Sequence, residues 1–263
     1  MKLVKGDRLS RHALAIQILN EIDALSVVSF NAKDYRVHEK SDGSPVTDFE
    51  LFIETMIVDR IESEFPEDAI LGEETGVKKG STGKWIVDPI DGTSNFLERV
   101  PIYAHMISFI DGPEPDFAFV SAPMMDARWS AISGNGAYRN STPVTVSNRD
   151  KLADSQICYG GVRDYDDESA ELLIRLARKC RRSRGYGNFL AHMLVAEGTY
   201  ELAASAPGNA EWDLTPIRII LQEAGGRMSS FRGGPENESV PIISSNGILH
   251  SAVVSMLSGT SPI

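Results

Sequence analysis

Cysteine is scarce in this chain of 263 residues, which contains two, Cys158 and Cys180. They stand far apart and form no CxxC pair of the kind found in zinc and redox motifs. We therefore predict two reduced thiols rather than one structural disulfide, as is usual for a protein of the cytoplasm.

A membrane-spanning run is also missing, because no stretch reaches the ~18 consecutive apolar residues that such a helix needs. The first residues are basic, but neither an apolar block nor a small-residue cleavage site follows them, so they do not match a signal peptide. The sequence predicts a soluble, cytoplasmic protein without a membrane partner.

Basic residues are in deficit, with 26 Lys and Arg against 37 Asp and Glu and a formal net charge of −11. An acidic surface repels the phosphate backbone, so we expect no nucleic-acid partner. Such a protein can still bind an anionic ligand where a metal ion inverts the local field.

Several catalytic motifs are absent as well. The chain has no GxxxxGK[ST] phosphate loop and no GxSxG nucleophile elbow, which excludes P-loop nucleotidases and the common serine hydrolases. Its five histidines show no HExxH spacing, so zinc ligation by histidine is not expected.

What remains is an ordinary globular composition, 42% hydrophobic and 24% charged, with clear helix and strand patterns. We predict an amphipathic helix over 9–30, and the capping box Thr47-x-x-Glu50 predicts a second helix through about Glu64. The residues predicted for the apolar face of the first helix are Leu9, Ala13, Ile16, Leu19, Ile22 and Leu25.

The rest of the chain divides into two regions of different pattern. Short apolar runs predict strands at 69–71 and 85–87 and then an antiparallel meander at 105–110, 116–122 and 128–132. Further on, helices near 166–182, 188–197, 214–224 and 248–257 alternate with strands near 200–203 and 240–244. We predict an N-terminal α+β half, residues 1–150, and a C-terminal α/β half, residues 151–263.

Carboxylates gather where these elements begin and end, in Thr47-Asp48, Gly72-Glu73-Glu74, the stretch from Asp88 to Thr93, and Trp212-Asp213. A sharp turn after the second strand would bring Asp91 back beside Asp88, and the following amides would then open a helix that suits a phosphate. Clustered oxygen ligands are what Mg²⁺ binds. Each stretch alone is more typical of a turn, a solvated loop end or an N-cap; their combination favours a metal site.

The whole set resembles the inositol monophosphatase superfamily of metal-dependent, lithium-sensitive phosphatases, in order and approximate spacing, over nearly the entire chain. The resemblance is carried by Val46-Thr47-Asp48, Leu71-Gly72-Glu73-Glu74, the run from Trp85 to Phe96, Trp212-Asp213-Leu214 and Glu223-Ala224-Gly225-Gly226. Three further stretches, 120–123, 182–187 and 194–198, are most similar to the histidinol-phosphate phosphatase branch.

The resemblance implies a layered αβαβα sandwich and a homodimer that hydrolyses a phosphate monoester with Mg²⁺. The implied substrate is a small polyol monophosphate of the inositol 1-phosphate type. The alternatives are histidinol phosphate, from histidine biosynthesis, and a nucleotide or sugar bisphosphate. A further hypothesis is a regulatory protein that has the same fold but is not an enzyme and binds another macromolecule. The intact set of carboxylates disfavours this hypothesis.

The resemblance also implies a ligand set. Glu73, Asp88 and the Ile90 carbonyl would hold one Mg²⁺, and Asp88, Asp91 and Asp213 would hold a second. Glu73 would share a weaker third ion through waters.

The same resemblance implies catalytic and substrate-binding residues. Thr93, hydrogen-bonded to Asp48, would orient and deprotonate the attacking water, with Glu73 as the third catalytic residue. The residues implied for substrate binding are Asp91, Gly92, Thr93, Ser94, Arg184, Asn188, Ser205 and Asp213.

Two of these positions depart from the family pattern. Ser205 stands where relatives often have an acidic residue, and Asn188 stands where the histidinol branch has Asp. Both replacements remove negative charge from the predicted substrate pocket, so we expect it to prefer a neutral polyol phosphate to a cationic amino alcohol.

Overall fold

The computed structural model describes residues 5–41, 43–112 and 114–259. The chain divides into two compact units, Met1–Ser133 and Gly134–Ile263. Mixed helices and sheets in layers confirm the predicted fold class.

The first unit places three helices around one sheet. Its helices are α1 (Lys5–Ala32), α2 (Asp48–Glu64) and α3 (Thr93–Leu97), and its strands are β1 (Val37–Glu39), β2 (Pro45–Thr47), β3 (Ala69–Gly72), β4 (Gly76–Lys78), β5 (Lys84–Asp91), β6 (Ala104–Asp111), β7 (Glu114–Ala122) and β8 (Ala127–Ile132). The sheet of this unit runs β8-β7-β6-β5-β3-β4, with β3 parallel to β5 and the run β5 to β8 antiparallel. The predicted meander is therefore confirmed, while β1 and β2 form a separate hairpin.

The predicted first helix is present as α1, and its apolar face agrees with the predicted one in part. Leu19 and Ile22 are buried in the core as predicted, and Ile16 packs against it. Leu9 and Leu25 are exposed, at 58% and 39%, and Ala13 is exposed as well. The residues that enter the core are Leu14, Ala15, Ile18, Leu19 and Ile22. Apolar residues lie on several sides of this helix, so spacing alone identified only part of the side that packs.

By length and composition α1 could also cross a membrane, since an 18-residue window within 7–32 has a mean hydropathy of 1.4. The core helix of a soluble protein passes the same test. In the first unit α1 packs with Ile53 and Ile57 of α2 and with Trp85 of β5, and this packing is that of a core helix.

The capping box predicted for α2 is confirmed. Thr47 is the N-cap, its hydroxyl accepts from the Glu50 amide at 3.0 Å, and the Glu50 carboxylate accepts from the Thr47 amide at 2.6 Å. Two amides that a helix start leaves unpaired are thereby satisfied. This cap fixes the direction of the Glu50 side chain.

The second unit carries a mixed sheet with helices packed on it. Its helices are α4 (Asp167–Lys179), α5 (Asn188–Ala196), α6 (Glu211–Glu223) and α7 (His250–Leu257), and its strands are β9 (Ala137–Arg139), β10 (Thr142–Val144), β11 (Gln156–Tyr159), β12 (Arg182–Arg184), β13 (Leu202–Ser205), β14 (Arg227–Ser230) and β15 (Ile242–Ser245). Five of these strands form the sheet, in the order β12-β11-β13-β15-β14, with β11 parallel to both neighbours and β15 antiparallel to both of its own. The strands β9 and β10 are not part of it and pair antiparallel with each other. All four predicted helices and both predicted strands of this region are present.

The compact units divide earlier than the predicted change of pattern at residue 150. The amides of Gly134 and Gly136 both donate to the Glu223 carboxylate at 2.9 Å. These bonds tie the start of the second unit to the end of α6, which places 134–150 with it. The two cysteines, which both lie in this unit, are free thiols, as predicted.

A buried ion pair anchors α1 to the sheet of the first unit. The Arg11 guanidinium donates to both carboxylate oxygens of Asp68, at 2.7 and 2.8 Å, and the Trp85 indole donates to the same carboxylate at 2.9 Å. Burial by itself raises the pKa of Asp68, but the hydrogen bonds from Arg11, Thr82 and Trp85 outweigh it and hold the pKa below the usual 3.8.

We predict that Asp68→Asn destabilises the protein by about 3 kcal/mol or more, because it leaves the buried Arg11 charge unpaired. Because the pKa of Asp68 is lower in the folded protein than in the unfolded chain, ionised Asp68 stabilises the fold. This contribution is complete above pH 3.8, the ordinary pKa of the group, and it is lost as the pH falls through the lower pKa of the folded state. The acid limb of a plot of unfolding free energy against pH should therefore be shallower in the variant.

The matched control is Glu21→Gln, which breaks an exposed ion pair with Arg60 and should cost less than about 1 kcal/mol. Equal losses in urea-unfolding free energy for the two variants would contradict the role assigned to Asp68.

Candidate metal centre

The centre is built on a β-bulge in β5. Asp88 and Asp91 both pair with β6, but the two residues between them, Pro89 and Ile90, stand opposite a single residue, His105. Side chains three apart in a regular strand point to opposite faces, and one extra residue reverses that relation. The bulge therefore puts both carboxylates on one side, with an oxygen of each within 4.8 Å of the other.

Both aspartates are buried, at 1% exposure for Asp88 and 9% for Asp91. Two ionised carboxylates this close in a buried place repel each other. A divalent cation with oxygen ligands relieves that repulsion, and an oxygen-only donor set suits Mg²⁺ or a similar hard ion. The residues present thus fit the metal that the resemblance implies.

The backbone at Ile90 is held by packing of the Ile90 side chain. The Ile90 side chain is buried in a cluster with Phe30, Phe96 and Tyr103, and the Ile90 carbonyl lies 3.3 Å from the Thr93 hydroxyl. A carbonyl kept in one place by its own side chain is suited to act as a fixed ligand. Just beyond, Gly92 has a φ of +94°, which glycine adopts without strain, and there the chain turns from β5 into α3.

Glu73 reaches the same region from the neighbouring strand. β3 and β5 are parallel, with Gly72 opposite Val87, and the Glu73 amide donates to the Val87 carbonyl at 3.3 Å. Neighbouring parallel strands have their carboxyl ends on the same edge of the sheet. Glu73, the first residue after β3, therefore lies beside Asp88, the residue after Val87 in β5. This placement agrees with the prediction that the carboxylates gather at strand ends.

A buried carboxylate from α2 shapes the turn that carries Glu73. Glu54 accepts hydrogen bonds from the Glu74 amide and from both the amide and the hydroxyl of Thr75, at 2.6 to 3.1 Å. A Cβ at Gly72 would lie 2.1 Å from the Glu54 carboxylate oxygen. Glycine is therefore required at position 72, because any side chain there would clash with the Glu54 carboxylate.

Lys40, which the sequence analysis missed, bridges the two adjacent glutamates. Its ammonium lies 2.7 Å from Glu73 and 2.5 Å from Glu74. Burial on its own lowers the pKa of Lys40, but the hydrogen bonds to both glutamates outweigh it, so that pKa lies above its usual value. Burial raises the pKa of Glu74 to about 7, although Lys40 acts in the other direction.

Thr93 does not make the predicted hydrogen bond. Its hydroxyl donates to Glu50 at 2.6 Å, and one hydroxyl hydrogen cannot serve a second carboxylate. Asp48 is exposed and accepts from the Arg36 amide at 2.9 Å. The expected partnership of Thr93 with Asp48 is therefore corrected to Thr93 with Glu50.

Glu50 consequently joins the helix cap to the metal centre. One carboxylate oxygen accepts from the amide and the hydroxyl of Thr47, at 2.6 and 2.7 Å, while the other accepts from Thr93. Burial raises the pKa of Glu50 above its ordinary value, although the hydrogen bonds from Thr93 and Thr47 oppose that rise. A carboxylate made more basic by burial is well suited to receive a proton.

The remaining predicted residues of the first unit are Gly92 and Ser94. Gly92 is the N-cap of α3, and Ser94 is exposed in the first turn of that helix.

The second unit contains Arg184, Asn188, Ser205 and Asp213. Asp213 is the third residue of α6, and its carboxylate accepts from the Ala210 amide at 2.5 Å. Arg184 is exposed on β12. Asn188 opens α5 with a φ of +48°, a conformation that Asn tolerates better than most residues.

Ser205 is held by a buried imidazole. His192 lies between two hydroxyls, at 2.7 Å from Ser205 and 2.8 Å from Ser244. Burial lowers the pKa of His192 to about 4, so the ring is neutral at physiological pH. The imidazole that pairs with Ser205 is therefore uncharged.

Sequence reasoning could have found Glu50 but not His192 or Lys40. The capping box already directed the Glu50 side chain back toward the start of α2, and this was a usable signal. No pattern distinguishes the buried His192 from the other histidines, or Lys40 from other lysines in polar loops.

Comparisons with known proteins agree with this architecture. The model of the inositol monophosphatase family matches residues 11–259. A histidinol-phosphatase of Mycobacterium tuberculosis is 36% identical over 253 residues, covering 93% of this chain and 96% of the relative. A histidinol-phosphatase of Streptomyces coelicolor is 32% identical over 261 residues, covering 95% and 98%.

Among solved structures, the IMPase of Thermotoga maritima superposes with a TM-score of 0.85 at 28% identity, covering 95% of this chain and 97% of that one. The layered fold predicted from the sequence is thereby confirmed.

Proposed function

We propose that this chain, which belongs to the inositol monophosphatase family, is a Mg²⁺-dependent phosphatase acting on a small polyol monophosphate. Hydrolysis of phosphate monoesters is the activity of this family and of this chain. The metal ion and the substrate are the parts we propose. The observation that supports the metal most strongly is the pair of buried aspartates in the β5 bulge.

We assign the metal ligands as the resemblance implies, to Glu73, Asp88, the Ile90 carbonyl, Asp91 and Asp213, for two or three ions. A bound Mg²⁺ lowers the pKa of a coordinated water and neutralises charge on the phosphate. Because the protein carries a net charge of −11, an anionic substrate needs such local positive charge to bind.

The protein's own contribution to proton transfer is assigned to Glu50 and Thr93. The Thr93 hydroxyl donates its hydrogen to Glu50, so its oxygen lone pairs are directed away from Glu50 and can accept a hydrogen bond from the attacking water. The proton of that water can then pass through Thr93 to Glu50, whose basicity burial increases. Gly92, Ser94 and Arg184 remain the proposed phosphate and substrate contacts.

For the substrate, the pocket residues of the second unit favour a neutral molecule. Ser205 faces a neutral imidazole and Asn188 is uncharged. Three glutamates could replace the missing charge, and two of them are paired with arginines: Glu201 with Arg149 at 2.6 Å and Glu197 with Arg139 at 3.5 Å. The third, Glu211, is exposed in the first turn of α6. A polyol phosphate needs no carboxylate partner.

Histidinol phosphate is the second candidate, and the names of the two curated relatives favour it. That substrate carries a cationic amine, which a carboxylate recognises by a charge-assisted hydrogen bond.

A homodimer in the cytoplasm, without a nucleic-acid or membrane partner, remains part of the proposal on the resemblance.

The direct test of the proposed activity is Asp91→Asn. We predict that it nearly abolishes Mg²⁺-dependent release of phosphate, because an amide lacks the charge that holds the cation. Asp59→Asn, an exposed position on α2, is the control and should keep full activity. A folded Asp91→Asn protein with normal turnover would refute the metal assignment.

A second prediction separates Glu50 from Asp48. Gln preserves a capping box but accepts no proton, so Glu50→Gln should stay folded and lose about 10²-fold in kcat. Thr93→Ala should lose a similar factor, whereas Asp48→Asn should keep normal kcat. A loss in Asp48→Asn equal to that in Glu50→Gln would restore the Asp48 assignment.

The third prediction concerns the substrate. Wild-type kcat/KM should be higher for inositol 1-phosphate than for histidinol phosphate. Ser205→Glu should shift the ratio of the two kcat/KM values toward histidinol phosphate by about 10-fold or more, because a hydrogen bond to a charged group contributes a free energy of that size. Ser205→Gln is the uncharged control and should leave the ratio near that of the wild type. Tenfold preference of the wild type for histidinol phosphate would show that the second candidate is right.

A further inference from the structure

The bulge in β5 interrupts the ladder with β6 at Pro89 and Ile90. Pro89 and Ile90 share one opposite residue, His105. The His105 side chain contacts the Pro89 carbonyl, with Nδ1 at 2.5 Å from the Pro89 oxygen. Thus the residue opposite the bulge is also the residue whose side chain holds it.

We propose that His105 is a positioning residue for the metal loop, which we define as residues 88–91, and that it acts through the Pro89 carbonyl. The inference rests on the proposed metal centre. His105 itself does not reach the reacting atoms; it keeps the bulge in the one conformation that turns Asp88 and Asp91 to the same side. Partners that orient ligands in this indirect way commonly set metal affinity.

The bond to Pro89 determines the tautomer of the imidazole. A carbonyl oxygen only accepts, so Nδ1 must carry the hydrogen. Burial lowers the pKa of His105, and the ring is therefore neutral, with Nε2 as an acceptor. The Ser26 hydroxyl of α1 lies 2.9 Å from Nε2 and 3.0 Å from the Asp23 carbonyl. With Nε2 as an acceptor, the single Ser26 hydrogen points to the ring rather than to that carbonyl.

The groups around the ring keep it in place. His105 is fully buried, and Tyr103 packs edge-on against it while donating to the Ser26 hydroxyl at 3.3 Å. The charged groups that face it are Asp23, 3.9 Å from Nε2, and Arg128, which pairs with Asp23 at 2.5 Å. Burial lowers the pKa of His105 more than Asp23 and the Pro89 carbonyl raise it, and Arg128 acts in the same direction as burial.

The test compares two substitutions of similar shape, His105→Asn and His105→Leu. The Asn amide can donate to the Pro89 carbonyl, whereas Leu cannot. Titration with Mn²⁺, a hard cation suited to the same oxygen ligands, can be followed by the electron paramagnetic resonance signal of the free ion. We expect the dissociation constant to rise about 10-fold or more in His105→Leu and to stay within about threefold of the wild type in His105→Asn.

His250 provides a matched control, because it is a buried histidine held by two serine hydroxyls in the second unit. His250→Leu should lower the melting temperature without changing the Mn²⁺ dissociation constant. If His105→Leu does not fold, His105→Gln and His105→Met form a second pair with the same difference in donor capacity.

Two results would overturn the proposal. One is equal Mn²⁺ affinity in the donor and non-donor variants, and the other is an Nε2–H tautomer of His105 in ¹H–¹⁵N spectra of the wild type. Failure of the wild type to bind Mn²⁺ at all would instead refute the metal centre itself, so the two failures are distinguishable.

Discussion

The extra residue between Asp88 and Asp91 is the constraint on which the site depends. In a regular strand these two side chains would face opposite sides of the sheet, and no cation could bind both. The register shift against β6 removes that separation. It also places two buried carboxylates close together. The repulsion between their negative charges costs free energy, which a bound cation would offset. The bulge lies next to the cap of α2, the end of β3 and a buried histidine.

Around the bulge, each important side chain is fixed by a contact that has a structural function of its own. Glu50 caps α2 through Thr47 and holds Thr93 with its other oxygen. Glu54 secures the turn after β3 and leaves Glu73 at the end of that strand. Side chains held in this way lose little entropy when a ligand binds, which is the advantage of a preorganised site.

Local features of the structure were predictable from the sequence, and long-range side-chain choices were not. The cap formed by Thr47 and Glu50 spans three residues, so its pattern was visible directly. The choice between Asp48 and Glu50 as the partner of Thr93 depended on which carboxylate points inward, across 43 positions of sequence. The buried face of α1 was predicted only in part for a related reason. Several sides of this helix are apolar, and the packing partner decides which residues are buried.

We propose that the bulged loop binds a divalent cation through Asp88 and Asp91. An anomalous-scattering map from a crystal grown with Mn²⁺ tests this binding without any assay of activity. We expect a strong peak in contact with the carboxylates of both residues in the wild type, and no such peak in Asp91→Asn. A wild-type map with Mn²⁺ elsewhere and none at these two aspartates, from crystals of protein that is active with Mn²⁺, would contradict it.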